Sequence, residues 1–181
     1  MDAPAELAGD GVRLRPLRGD DAPAYASAFR DDPELGLLIG TETDPDEASV
    51  RERIANAAQR GGFELAITAD GSDGFCGLVA VHSIEIAHGR AEVGFWLAPG
   101  ARGAGLGTRA VALVVGWLFE GAGLRRVEMT TTPENAGALV LARRLGFEQE
   151  GVLRQRAIER GRAVDIVWFG LLRDEWQGRR A

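Results

Sequence analysis

Apolar residues recur along the chain in two rhythms, every second residue or every third to fourth, and each change of rhythm marks a new element. Val12, Leu14 and Leu17 interleave with Arg13, Arg15 and Arg18, which predicts a half-exposed first strand that Gly19 and Asp20 end. Asp20 is placed to cap a helix carrying Tyr25 and Phe29, with Pro23 in its first turn, where a missing N–H costs little. A loop is expected from Asp31 to Thr43. A second helix is expected to begin at Asp44-Pro45-Asp46-Glu47, with Asp44 as cap, Pro45 first in the helix and Glu47 closing a capping box. It runs towards Gln59, carries Val50, Ile54, Ala57 and Ala58 on one face, and stops at Gly61-Gly62.

Alternation then takes over. Phe63 to Ala69 and Phe75 to Ser83 read as a hairpin around Asp70-Gly71-Ser72-Asp73-Gly74. Arg90 to Ala98 is a further strand, with Ala91, Val93, Phe95 and Leu97 on one face and Glu92, Gly94 and Trp96 on the other. Leu106 to Glu120 is the strongest helix, its stripe of Leu106, Ala110, Leu113, Val114, Trp117 and Leu118 suited to packing on a sheet. Gly121 and Gly123 stop it. A short strand over Arg126 to Thr131 leads to Thr132-Pro133-Glu134 as cap and first turn of a helix spaced by Ala138, Leu141, Ala142 and Leu145 and closed by Gly146. Phe147 onward is extended, and Ala163 to Leu172 closes the fold after a turn at Glu159-Arg160-Gly161. This mixed order predicts an α/β fold whose sheet has antiparallel and parallel parts.

The 181 residues make one domain, expected over 10–176, with flexible termini at 1–9 and 177–181. The 21 basic residues against 27 acidic ones leave a net charge of -6, which disfavours a nucleic-acid surface and is compatible with a cationic substrate such as an amine. Cys76 is alone, so neither a disulfide framework within the chain nor a thiolate metal cluster is expected, and a buried small apolar role is its default. The acidic stretch Met1 to Glu6 lacks the apolar core of a signal peptide, and the longest apolar run, Val111 to Phe119, is too short for a membrane span. A cytoplasmic protein with no membrane partner and no metal is expected; monomer and homodimer both stay open.

Chemistry concentrates between the Arg90–Ala98 strand and the long helix, at Arg102-Gly103-Ala104-Gly105-Leu106-Gly107-Thr108. Glycines let the backbone curve tightly and approach a ligand, and the first N–H groups of a helix have no partner inside it. A diphosphate can accept several such hydrogen bonds at once. The letters exclude a Walker A loop, which needs a lysine here, and the spacing fails the Gly-x-Gly-x-x-Gly dinucleotide fingerprint. The other reading is an ordinary strand-to-helix turn that binds nothing.

Arg102, Gly105 and Gly107 meet the cofactor motif of the GCN5-related N-acetyltransferase (GNAT) superfamily, which the chain resembles. Ala91 to Leu97 looks like that superfamily's central strand, and Thr131-Thr132-Pro133-Glu134-Asn135 leading to Leu145-Gly146-Phe147 looks like its next strand, Asn-led helix and Gly-Phe stop. The opening Val12 to Asp21 and the close from Asp165 to Trp176 are similar to the RimJ/RimL-like branch of ribosomal-protein and N-terminal acetylating enzymes. The resemblance implies a strongly twisted central sheet flanked by helices, with acetyl-CoA or another acyl-CoA as cosubstrate in a V-shaped gap beside the central strand. It places the pantetheine arm along Phe95, Trp96 and Leu97, the diphosphate on the turn from Arg102 to Thr108, and Asn135 near the thioester. Arg109 and Arg143 are further candidates for the coenzyme A phosphates, with solvated side chains as the other reading. The resemblance also implies direct attack by the amine on the thioester, without an acyl-enzyme.

Direct attack needs a neutral amine, and a carboxylate in the cleft can take the proton. Glu92 is the preferred general base, against the reading that it is a solvated strand residue; Asp165, His82 and His88 are weaker candidates. Trp96 shares the face of Glu92 and either lines an acceptor pocket or packs under the first helices. The chain departs from familiar patterns where it has Ala142 in place of the superfamily's tyrosine and Ala138 in place of the branch's serine. Two readings follow: an acyltransferase acting on a primary amine, with a protein N-terminus among the acceptors, or a catalytically weak acyl-CoA-binding or regulatory protein on the same fold.

Overall fold

A computed structural model describes residues 1–59, 61–69 and 71–180. Asp70 of the expected turn and Ala181 of the expected flexible terminus lie outside the described residues, as do the side chains of Ala58, Arg179 and Arg180. Strand β1 (Leu7–Gly9) turns back into β2 (Val12–Pro16), and helices α1 (Ala22–Asp31), α2 (Leu35–Leu38) and α3 (Glu47–Ala55) follow. Then come β3 (Phe63–Ala69), β4 (Phe75–Glu85), β5 (Arg90–Leu97), α4 (Leu106–Glu120), β6 (Arg126–Thr131) and α5 (Ala136–Leu145). A long hairpin of β7 (Glu148–Glu159) and β8 (Arg162–Leu172) and a last helix α6 (Arg173–Arg180) complete the chain.

The strands form one eight-stranded sheet in the order β1-β2-β3-β4-β5-β6-β8-β7. Every neighbouring pair is antiparallel except β5 and β6, which are parallel because α4 carries the chain back over the sheet between them. The mixed α/β sheet flanked by helices matches the predicted class. On one face α4 and α5 bury the inward residues Ala91 and Val93 of β5 together with Val111, Val114, Val127, Met129 and Phe169. On the other, α1 and α3 cover Leu78 and Trp96 through Tyr25, Phe29 and Val50. The alternation of β5 therefore splits between two cores as predicted.

Several local expectations give way to distant partners. Leu7–Gly9 is paired strand where a flexible terminus was expected, because Leu7 packs on the core and its backbone registers with Leu14. The helix α6 likewise runs through the residues 177–180 that were expected to be loose, with Trp176 buried against Phe119 at 6.4 Å. The expected loop over 31–43 contains the short helix α2. Asp46, not Asp44, caps α3 by accepting a hydrogen bond from Ser49 N at 2.8 Å; Asp44 instead pairs with Arg160 at 2.5 Å. Asp20 does not cap α1: its neighbour Asp21 is the buried residue, held bidentately by Arg15 at 2.7 and 2.8 Å and accepting from Arg18 N. Arg15 also donates to Asp73 O at 2.9 Å, so one buried guanidinium joins β2, the entry to α1 and the β3–β4 turn. Cys76 is half-buried at the core's edge. Among the described residues no helix is long and apolar enough to cross a membrane, and no group of three His, Cys, Asp or Glu side chains could hold a metal.

Gly77 is where β4 and β5 approach most demandingly. A Cβ there would fall inside contact distance of Trp96 O and 2.8 Å from Leu97 Cα, both backbone atoms that cannot swing aside. Gly77→Ala is expected to destabilise the fold by about 2–3 kcal/mol, the cost of overpacking. Urea unfolding checks this through a lowered midpoint at unchanged slope.

Candidate active site

The parallel pairing of β5 with β6 lasts for three residues, Arg90 to Glu92 against Arg126 to Glu128. Beyond it Val93 to Leu97 stay with β4, while Met129 to Thr131 stay with β8, so the two strands part. Ala98 N donates to Cys76 O on β4 at 2.9 Å. By alternation the backbone groups of Trp96 also face β4, and those of Phe95 and Leu97 face the gap. Unpaired backbone N–H and C=O groups at a sheet interior are costly unless water or a ligand meets them. The gap is thus an edge that calls for an occupant.

A cavity of about 1330 Å³ opens over this gap on the α1–α3 side. Its walls include Glu92, Phe95 and Trp96 of β5, Thr130 of β6, His82 of β4 and Asn135. Glu92 sits where the strands begin to part, with its side chain 13% exposed. Thr130 Oγ1 donates to its Oε1 at 2.5 Å, and His82 Nδ1 lies 3.7 Å from its Oε2. Its partner in register, Glu128, is buried but neutralised by Arg90 and Arg126, each at 2.8 Å. Arg126 forks further onto Glu150 at 2.7 and 2.5 Å, and that guanidinium holds the Glu150 carboxyl below the usual carboxylate range. Glu92 therefore stands beside a compensated charge ladder rather than beside a bare anion.

The glycine turn lies at the far end of β5. After a single tight turn at Pro99–Ala101, Gly103 and Gly105 take φ of +85° and +72°, a region costly for residues with a Cβ. A Cβ on Gly103 would meet nothing within 4 Å, so this stretch of backbone is open. One on Gly107 would press on Phe95 and Leu97 at 3.2 and 3.3 Å, so this glycine lets the start of α4 sit close against β5. Arg102 donates from Nε and Nη2 to Leu97 O at 3.1 and 3.0 Å and pairs with Asp32 at 2.6 Å. Arg109 donates to Ala104 O at 2.9 Å. Both guanidiniums brace the turn from within, whereas Arg143 is exposed on the last turn of α5.

The structure brings Glu92, Phe95, Trp96 and Asn135 to one cavity and sets Arg102 to Thr108 at the other end of the same strand. Trp96 is 5% exposed, with Tyr25, Phe29 and Phe75 around it at 4.8, 5.3 and 5.5 Å between ring centres, so most of its surface is spent on packing. Asn135, rather than Thr132, caps α5 by accepting from Ala138 N at 3.1 Å, and its Nδ2 reaches Leu38 O at 3.5 Å. Asp165 lies apart, on the β7–β8 hairpin, where it accepts from Gln155 N at 2.8 Å and lines a separate cleft. His88 is also apart, exposed beside Glu85 in the β4–β5 connection. Thr130 went unnoticed in the sequence because only the strand register places it over Glu92. Arg160 was seen only as a turn residue; it fastens the cavity-lining segment before α3 through Asp44 and Thr41 O.

Three comparisons bear on this geometry. The family model of the acetyltransferase (GNAT) domain matches residues 12–148. The crystal structure of a probable acetyltransferase (GNAT family) from Chromobacterium violaceum ATCC 12472 is similar over 98% of this chain and 91% of that one, with a TM-score of 0.87 and 31% identity. Mycobacterium smegmatis RimJ in complex with CoA-disulfide is similar over 91% of this chain and 83% of that one, with a TM-score of 0.81 and 25% identity. Spermidine N(1)-acetyltransferase of Escherichia coli (strain K12) is 30% identical over 148 residues, 78% of this chain and 75% of its own length.

Arg102→Ala is expected to loosen the turn, removing its bonds to Leu97 O and Asp32. The expected loss is about 1–2 kcal/mol of stability, the worth of charge-assisted hydrogen bonds at a part-exposed site. Hydrogen exchange over 103–108 should quicken while exchange in β3 stays as in the wild type; equal protection in both proteins would refute the bracing role.

Proposed function

Because the chain belongs to the GNAT acetyltransferase family, we propose that it transfers an acetyl or other short acyl group from acyl-CoA to a primary amine by direct attack on the thioester, with Glu92 as general base. The chain is an acyl-CoA-dependent acyltransferase; the residue roles and the acceptor are the proposal. The observation that carries it is the parting of β5 and β6 at Glu92, which leaves two backbone edges facing one cavity with the Glu92 carboxylate at the point where they separate.

In this reading the pantetheine arm extends β5, exchanging hydrogen bonds with the gap-facing backbone of Phe95 and with Leu97 N–H, since Leu97 O is already held by Arg102. The diphosphate meets the N–H groups from Arg102 to Thr108. What supports that placement is the open backbone at Gly103 and the start of α4, whose unpaired N–H groups favour an anion. Arg102 acts there by holding the turn in shape. Asn135 fixes the arm near the thioester from the cavity wall.

An ammonium has no lone pair to attack with. An α-amine releases its proton near pH 7.7–8.0 and a lysine near 10.4, so a protein N-terminus asks least of the base. Glu92 takes that proton while gap-facing N–H groups offset the charge that gathers on the carbonyl oxygen. The cavity walls also carry Glu42, Asp46 and Glu52, which suits an acceptor arriving as a cation. Within the family we assign the chain to the RimJ/RimL-like enzymes, which makes protein N-termini the first acceptors to try. The likeness to a spermidine acetyltransferase makes polyamines the second.

Incubation with acetyl-CoA and a panel of peptides and amines tests the reading: free thiol should appear only with an acceptor. Tight CoA binding without turnover across the panel would favour the binder instead. Glu92→Gln should lower kcat/KM by about 100-fold, within the span of general-base effects, with the loss greatest at low pH, where the free amine is scarce. A pH–rate profile unchanged in that variant would remove Glu92 from the base role. Gly105→Ala, forced into a φ of +72°, should weaken CoA about tenfold, equivalent to roughly 1.4 kcal/mol. Calorimetry showing equal affinity would displace the diphosphate from this turn.

A further inference from the structure

Strand β4 is irregular where it passes Glu92. Its register with β5 breaks between His82 and Glu85, and Ser83 takes a φ of +50°, a conformation that residues with a Cβ adopt only when their surroundings hold them in it. Bulges of this kind re-aim a neighbouring side chain. Here the neighbour is His82, which pairs in register with Glu92 and lines the same cavity.

The two oxygens of Glu92 are not equivalent. Oε1 is tied to the hydroxyl of Thr130, whereas Oε2 faces His82 Nδ1 at 3.7 Å, a separation of the kind that tightens when substrate binds. The Glu92 side chain is 13% exposed and that of His82 48% exposed, so the imidazole has the better access to water. A base that takes one proton per turnover must also lose one, and a histidine ring carries one nitrogen that can accept a proton and another that can donate one.

We propose that His82 is a further catalytic residue that receives the amine's proton from Glu92 and releases it to water, while Thr130 is a positioning residue that fixes Glu92 by its other oxygen. The proposal rests on Glu92 as the base. In the first step the ammonium gives one proton to Oε2, freeing the lone pair that attacks the thioester carbonyl; the C–S bond then breaks, and the thiolate leaves as the CoA thiol with the second proton that the nitrogen loses as the amide forms. Oε2–H then passes the proton to Nδ1 of the neutral imidazole, and the imidazolium loses one to water. The carboxylate is restored, and the net transfer is one proton from amine to solvent.

Other charges around the pair are largely matched. Glu64 of β3 is paired with Arg53 of α3, whose Nε lies 2.9 Å from it. Glu128 of β6 is paired with Arg90 of β5 and with Arg126. Glu52 of α3 shares the cavity wall, and Ser83 Oγ lies 3.3 Å from Nδ1.

His82→Gln keeps a polar side chain that cannot carry the proton. It should lower kcat by about 10- to 100-fold near pH 7 with KM for acetyl-CoA unchanged, and added imidazole should restore the rate towards wild type. Wild-type rate should not respond to imidazole. Thr130→Val should lower kcat without imidazole rescue. If Glu92→Gln is impaired but His82→Gln matches the wild type and ignores imidazole, the relay is overturned and the base stands. A Glu92→Gln enzyme as active as the wild type overturns the base and the relay with it.

Discussion

Everything at the site depends on how briefly β5 and β6 pair. A parallel neighbour needs a crossover, and α4 provides it, but each strand is also committed to an antiparallel partner on its other side. From Val93 onward β5 follows β4, and from Met129 onward β6 follows β8. Sheet twist carries those two halves apart once the shared ladder ends. The gap therefore comes from competition between pairings rather than from any residue placed to hold it open. Gly107 and Gly77 then allow the helix and the neighbouring strand to approach β5 closely on either side of the opening.

Charge is handled differently on the two sides of that point. Below it, the carboxylates of Glu85, Glu128 and Glu150 share the guanidiniums of Arg90 and Arg126. A buried carboxylate such as Glu128 is tolerable only with partners of this kind. Where the strands part, Glu92 has the Thr130 hydroxyl and the His82 imidazole for neighbours. Near the cavity's rim Glu159 is pushed up by burial first and then by Glu134 and Glu42. The same sheet thus supports a quiet ionic ladder and, one strand-turn away, carboxylates with capacity left for a ligand.

Much of this was legible in the sequence because it was local. Period-2 alternation assigned the two faces of β5, and the apolar stripe found α4 to the residue. Glycines flagged the turn that Gly103 and Gly105 shape. What escaped depends on partners distant in the chain. Asp44 looked like a cap until Arg160 claimed it, and Arg102 looked free for a phosphate until Asp32 and Leu97 O engaged it. Thr130 carries no motif and acquires meaning only from the register that sets it over Glu92. Asp165 shares a strand with cavity-lining Ile166, but successive side chains leave a strand on opposite faces, and the hairpin bulge turns it to Gln155 instead.

The alanines at 138 and 142 then take on a sharper meaning. Ala142 is 0% exposed, on the face of α5 that packs into the core, so this position offers no hydroxyl. Ala138 borders the cavity but carries no proton to give. A departing thiolate needs only modest help, since a thiol's ordinary pKa is near 8.5, whereas an ammonium that keeps its proton cannot react at all. The demand for a side chain is therefore heavier on the amine's side of the cavity than on the thiol's. Glu92, Thr130 and His82 converge on the cavity from three different strands, and under the proposed roles that is where the heavier demand is met.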